Sequence, residues 1–249
     1  MIGCTQLIAI LIVAAMGGFI QRVTGFGFGI FVIMFFPYII RSHTSAAAVS
    51  TIASFVISLF NAVVYRKKVP YKKIIPLLVA SLITIPITVR FSVLVSGDIL
   101  KAVLGIVLIA ISIYFMFFDR RIKLKPTVKN GLITGGLSGV LSGLFSTGGP
   151  PIVLFLMNAL TDNVEYFAST QFFFCLTGGY TTLVRFFNGI ITREVVICSA
   201  IAIVGSVVGN FVGKYVFDKL NRQKLKITVY ICMILSGIVM VVDSGFMLK

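Results

Sequence analysis

The stretch TGGPP, residues Thr147 to Pro151, interrupts one of the most apolar parts of the chain. Glycine is a poor helix former, and proline lacks a backbone N–H and clashes with the preceding turn, so this stretch ends a helix. The apolar run IVLFLM at 152–157 follows at once, without an intervening charge. The sequence therefore predicts a helix that breaks and restarts in apolar surroundings.

The composition identifies those surroundings. Hydrophobic residues make up 58% of the 249 residues, charged residues only 12%, and the mean hydropathy is +1.08. These values are typical of an all-α polytopic membrane protein with no soluble domain. Runs long enough to cross a bilayer lie near 2–20, 45–65, 74–92, 99–118, 166–187, 194–213 and 227–245. The first run has no basic segment before it, so we expect a retained span and not a signal peptide.

The net charge of +15 is concentrated in short connections between the apolar runs. Five Lys or Arg residues fall in each of the segments 66–73, 120–129 and 214–226. Basic loops of this kind mark the cytoplasmic side of a membrane protein, so we predict no nucleic-acid partner. The four cysteines are far apart, the lone His43 is expected in a loop, and the seven carboxylates cluster at span ends. The sequence therefore predicts no metal, no cofactor and no enzyme active site.

The chain contains an internal repeat. TGFGFGIFVIMFFP, from Thr24, and STGGPPIVLFLM, from Ser146, match at an offset of about 122 residues. We predict two repeats, 1–125 and 126–249, each with a Gly-broken segment followed by three transmembrane helices. The basic loop of the second repeat comes one crossing later than that of the first, which indicates inverted repeats.

Inversion has consequences for topology. Each broken segment must enter and return on the same side, as a re-entrant hairpin or as two half-helices, and both termini must lie outside the cytoplasm. The alternative is eight simple spans, which would leave the basic segment 214–226 outside the cytoplasm.

Uncovered backbone at membrane depth is tolerated only against protein or a water-filled cavity. Pro150 and Pro151 suit the first turn of the restarted helix, and Ser146 or Thr147 is the expected N-cap. Thr24 is the expected N-cap in the first repeat. Two half-helix N-termini would then meet near the midplane, each with about half a positive charge, and would attract a small anion.

The candidate substrate-binding residues are those at the breaks and the polar residues of nearby spans. They are Gln21, Arg22, Thr24, Gly25, Phe26, Gly27, Ser50, Thr51, Ser146, Thr147, Gly148, Gly149, Pro150, Ser169, Thr170 and Gln171. Each hydroxyl has the alternative of bonding its own helix, and Arg22 either contacts the anion or snorkels. Arg90 and Arg185 are expected to snorkel. Other glycines recur every fourth residue, at 131–143 and 205–213, and are expected to pack helices closely.

The pairing of GGFIQRVTGFGFGI (17–30) with GGLSGVLSGLFSTGGPPIVLFLM (135–157) resembles the TauE/SafE sulfite-exporter family, also called the toluene-sulfonate uptake permease group. The resemblance covers essentially the whole chain and implies transport of sulfite, sulfonates, sulfoacetate or similar anions across a prokaryotic inner membrane, in either direction. The expected partners are a small anionic substrate and the lipid bilayer, with the chain either a monomer or a homodimer. An anion channel with the same dipole-lined site is the alternative.

Overall fold

A computed structural model describes residues 3–40, 42–117, 124–216 and 222–244 of the chain. These residues form eleven α-helices and a short 3-10 turn, and no strand occurs among them. The helices within the predicted first repeat are α1 (Cys4–Thr24), α2 (Phe28–Ile33), α3 (Phe36–Ile40), α4 (His43–Tyr65), α5 (Tyr71–Leu94) and α6 (Gly97–Phe117). Those of the second are α7 (Val128–Phe145), α8 (Gly149–Ala159), α9 (Asn163–Phe187), α10 (Arg193–Val216) and α11 (Arg222–Asp243).

Five of these helices are long and apolar enough to cross a bilayer, namely α1, α4, α5, α6 and α10. The protein is therefore a multi-pass membrane protein. The predicted spans near 166–187 and 227–245 coincide with α9 and α11. Helix α9 has 25 residues and a length of roughly 37 Å, so it is long enough to span the bilayer. It is less apolar because it carries buried polar side chains such as Gln171 and Arg185.

The glycine faces predicted to pack helices are confirmed. Helix α7 lies against α5, and α10 lies against α1. A side chain at Gly135 would overlap the backbone of Leu77, and one at Gly209 would overlap the backbone of Ala15. The successive contacts are Gly131 with Pro76, Gly135 with Leu77, Gly139 with Ser81, Gly143 with Thr88, Gly205 with Leu11, Gly209 with Ala15 and Gly213 with Phe19. Residue numbers rise together in both pairs, so each pair of helices is parallel.

Helices at corresponding positions of the two predicted repeats pack antiparallel to each other. In α4 and α9, Thr51 contacts Arg185 and Asn61 contacts Gln171, so these two helices are antiparallel. Helices α6 and α11 are also antiparallel, since Lys101 forms an ion pair with Asp243 at 2.5 Å while Gly105 packs on Gly237. The inverted repeat and its boundaries, 1–125 and 126–249, stay predictions, and these antiparallel pairs support them.

The broken segments fill the space between the long helices. Helices α4 and α5 are joined by a tight turn and run in opposite directions. Helix α7 is parallel to α5, and α9 is antiparallel to α4. Helices α7 and α9 therefore run in the same direction. Helix α8 lies between them in the chain and has to bring it back toward the side where α7 began. Its 11 residues extend roughly 16 Å, about half of a bilayer core.

Candidate functional site

The break in the second repeat lies between Phe145, which ends α7, and Gly149, which begins α8. Pro150 falls in the first turn of α8 as predicted. The expected N-caps are wrong. Ser146 instead ends α7 in the left-handed conformation (φ 61°), with its N–H donating to the Ser142 carbonyl, and Gly148 occupies the N-cap of α8 without a side-chain hydrogen bond.

The break in the first repeat lies between Thr24 and Phe28. Gly25 and Gly27 have φ values of 83° and 103°, a region that other residues rarely adopt, so both positions favour glycine. Thr24 does not cap α2, contrary to expectation. Its hydroxyl lies within hydrogen-bonding distance of the carbonyls of Ile20 and Phe26 and closes the end of α1, while Gly27 is the N-cap of α2.

The two breaks touch each other although they are about 120 residues apart in the chain. Gly29 of α2 lies against Ser146, and a Cβ at Gly29 would overlap the Ser146 carbonyl oxygen. The Phe26 ring lies 3.3 Å from the position that a Cβ of Gly149 would occupy. A Cβ at Gly25 would instead face Tyr166 of α9. We call the region where α2, α8 and both breaks meet the junction.

A cavity lies at the junction, and seven of the predicted site residues line it. They are Gln21, Gly27, Thr51, Ser146, Thr147, Gly148 and Gly149. None of the residues that line the cavity carries an ionisable side chain. Its polar surface consists of glycine backbone, hydroxyl groups and one amide, and backbone N–H and O–H groups are the donors that small anions accept.

The cavity also has lining residues that the sequence analysis missed. The polar ones are Gly29, Ser54, Ser142, Thr177, Gly178 and Thr181, and the apolar ones are Phe28, Ile30 and Phe174. Thr177 and Thr181 are four residues apart and therefore lie on one face of α9. Arg185 follows at the same spacing. The polar stripe formed by Thr177, Thr181 and Arg185 was therefore the signal in the sequence that could have indicated these lining residues.

The other predicted site residues do not line the cavity. They are Arg22, Thr24, Gly25, Phe26, Ser50, Pro150, Ser169, Thr170 and Gln171. Their roles in binding stay predictions, as do those of the seven residues in the wall.

Gln171 is the centre of a buried amide network. Its carbonyl oxygen accepts from Gln21 Nε2 at 3.2 Å and from Asn61 Nδ2 at 3.3 Å, and its own Nε2 donates to the Gly25 carbonyl at 2.9 Å. An amide at membrane depth requires partners because no water is available there. Gln171 therefore ties the first break to α4 and α9.

Arg22 is half-buried at the edge of this network. It donates to Asn61 Oδ1 and to the Tyr65 hydroxyl, both at 3.3 Å. Its guanidinium also lies 5.1 Å from the centre of the Phe167 ring, which is a cation–π arrangement. The side chain is held by neutral groups near the first break, and its contact with an anion stays a prediction.

Arg185 is where the sequence analysis was wrong. We expected it to snorkel at a helix end, but its side chain is only 2% exposed. It donates to Thr51 Oγ1 at 2.8 Å and to the carbonyls of Ser142 and Gly143 at 3.3 and 3.1 Å. The Thr147 N–H donates to the Leu141 carbonyl and not to Gly143, so the Gly143 carbonyl is left for the guanidinium, while the Ser142 carbonyl accepts from both Ser146 and Arg185. Arg90, by contrast, is exposed on α5, as snorkelling requires.

A multi-pass membrane protein in which two interrupted helical segments meet at a cavity with polar groups in its wall has the architecture of a membrane transporter. The family model described as "Sulfite exporter TauE/SafE" matches residues 10–240, nearly the whole chain. The chain belongs to this family, whose members are transporters of the sulfite-exporter and permease type and not enzymes. No curated protein and no solved structure matches the chain.

Proposed function

We propose that this protein is a secondary transporter that moves small sulfur-containing or organic anions, such as sulfite, sulfonates or sulfoacetate, across a prokaryotic inner membrane. The anion binds in the cavity at the junction. The observation that carries this proposal is the cavity itself, because it lies where both interrupted segments meet and is lined by glycine backbone and hydroxyl groups.

The chemistry of the wall supports an anion more than a cation. Buried sites for cations use carboxylates or converging carbonyl groups, whereas no residue in the wall has a carboxylate. Pro150 and Pro151 have no N–H, so the first turn of α8 keeps fewer free donors than an ordinary helix. The N–H groups of Gly148 and Gly149 and the neighbouring hydroxyls of Ser146 and Thr147 therefore provide the donors at this end of the cavity.

The order of the helices supports alternating access. If the repeats 1–125 and 126–249 are inverted, the inward-open and outward-open states use equivalent helices of the two repeats, which exchange roles between the states. The end of α4, the start of α7 and the end of α10 then lie on one side, where the basic segments 66–73, 120–129 and 214–226 follow or precede them. This side is the cytoplasm, and both termini are outside it.

Counterflow in proteoliposomes tests the proposal. Vesicles preloaded with unlabelled sulfite are diluted into a trace of labelled sulfite, and parallel samples contain thiosulfate or sulfoacetate. A transporter exchanges the anions and transiently accumulates the label, whereas empty vesicles do not. Absence of exchange with all three anions refutes the proposal. Rapid conductive flux without counterflow would support the anion channel instead.

A further inference from the structure

A buried positive charge lies directly behind the wall of the cavity. Arg185 is on the same face of α9 as Thr177 and Thr181, which line the cavity. Its guanidinium donates to Thr51 and Ser142, which also line it. Arg185 is therefore separated from the cavity by one layer of side chains.

No carboxylate among the described residues neutralises this charge. All partners of Arg185 are uncharged oxygen atoms, and its Nε is buried with no hydrogen-bond partner among the described residues. The described carboxylates are at least partly exposed and lie at helix ends, at 98, 162, 165, 194 and 243. The C-terminus of α7 contributes about half a negative charge, which offsets only part of the guanidinium charge.

A positive charge inside a membrane protein is unfavourable unless it is paired. A charge that stays unpaired there usually marks a functional site. Closing the end of α7 needs hydrogen-bond donors but no net charge, and an amide would serve. Among the described residues, the feature next to Arg185 that benefits from the charge itself is a cavity suited to an anion. The hydroxyl of Thr51 joins the two, because it accepts from Arg185 and lies 2.9 Å from Ser146 Oγ in the cavity wall.

We propose that Arg185 is the positioning residue that sets the charge of the anion site. It supplies the countercharge for the bound oxyanion across one layer of side chains, and it accepts no proton and contacts no substrate directly. Thr51 Oγ1 accepts from Arg185, and its own proton has two acceptors within reach, the Ala47 carbonyl at 2.8 Å and Ser146 Oγ at 2.9 Å. When this proton points toward Ser146, the Ser146 hydroxyl donates its own proton to the anion. This inference rests on the function proposed above.

The test measures the Kd of sulfite for the purified full-length protein by calorimetry, with thermal unfolding followed in the same samples with and without sulfite. In R185Q, which keeps donors for the α7 carbonyls, sulfite should bind roughly tenfold to a hundredfold more weakly, as expected for a lost charge-assisted interaction. The Kd of R185K should lie between those of the wild type and R185Q, because lysine keeps the charge but cannot bridge Thr51 and both carbonyls.

A role confined to closing α7 predicts a different result. In that case R185Q lowers the unfolding temperature without sulfite but keeps the Kd of sulfite. A wild-type Kd in folded R185Q overturns the inference. If R185Q does not fold, R185K and T51V decide, since each should bind sulfite several-fold more weakly, and wild-type affinity in both overturns it. The matched control is R90Q, which replaces an exposed arginine and should leave the Kd unchanged.

The double variant R185Q/T51V tests the pathway through Thr51. If Arg185 acts through this hydroxyl, the two substitutions weaken sulfite binding by less than the product of their separate effects. Fully independent effects contradict that pathway. Failure of the proposed function is distinguishable, because there the wild-type protein itself neither binds nor exchanges sulfite, thiosulfate or sulfoacetate.

Discussion

Replacing Gly29 with alanine perturbs the contact between the two breaks with a single methyl group. The added Cβ would overlap the backbone carbonyl oxygen of Ser146. A backbone atom has no rotamer to change, so the whole break of the second repeat has to move away from α2. The cavity lies between these two segments, so its walls separate at the same time.

The expected cost follows from overpacking in a close-packed interior. Inserting a methyl group where there is no space typically costs about 1–3 kcal/mol, and alanine returns at most about 1 kcal/mol through its higher helix propensity. Because the overlap is with a backbone atom, we take the upper part of that range, about 2–3 kcal/mol, and expect a net loss of about 1–2 kcal/mol in the free energy of unfolding. For a chain of this size that corresponds to a decrease of roughly 2–8 °C in the unfolding temperature.

Two matched glycines separate the effect on the cavity from the effect on packing. At Gly136 the nearest atom to an added Cβ is 3.9 Å away, so G136A should be at least as stable as the wild type and fully active. G139A overlaps Thr84 of α5, away from the cavity, so it should lower the unfolding temperature and keep the Kd of sulfite.

The assay combines thermal unfolding of the purified protein with sulfite counterflow. Of these three variants, only G29A should both unfold at a lower temperature and transport less sulfite per folded molecule. Transport at the wild-type rate by folded G29A, or loss of sulfite affinity in G139A, would refute our assignment of the junction as the functional contact.

Three further predictions concern the site and the topology. G149L should abolish counterflow while leaving folded protein in the membrane, because its side chain has to enter the space between two aromatic rings at the junction; normal transport would contradict this. Gln171→Ala should destabilise the protein by about 1–3 kcal/mol, because the Gly25 carbonyl is left unpaired, and should weaken sulfite binding by the order of 1 kcal/mol; an unchanged unfolding temperature would exclude the network. Single cysteines at positions 68, 123 and 219 of a Cys-free protein should resist a membrane-impermeant thiol reagent added from the periplasm, although 123 and 219 lie outside the described residues. Labelling at 219 but not at 68 would support eight simple spans.

The sequence by itself predicted the features that depend on local chemistry. Hydropathy located the long helices because a bilayer requires about 20 apolar residues for each crossing. The dense clusters of glycine and proline at 25–29 and 148–151 located both breaks because they combine several poor helix formers in succession, whereas the single prolines at 76 and 86 lie inside the continuous helix α5. The four-residue spacing of glycines predicted that α7 and α10 would each pack closely against another helix, because a face of small residues lets two backbones approach each other. It did not predict which helices they pack against.

Tertiary structure decided which polar groups face the cavity and which support its wall. Thr51 and Ser146 were predicted for the site and line it, but Gln171, predicted with them, does not line it and instead bonds Gln21, Asn61 and the Gly25 carbonyl. Ser146 ended α7 and did not cap α8, because the path of the chain across the break sets its backbone conformation. Arg185 lies near the end of α9 in sequence, where an arginine usually reaches water. The Ser142 and Gly143 carbonyls at the end of α7 are next to it only in the folded protein, and they hold it inside because a buried guanidinium is stable only where acceptors surround it.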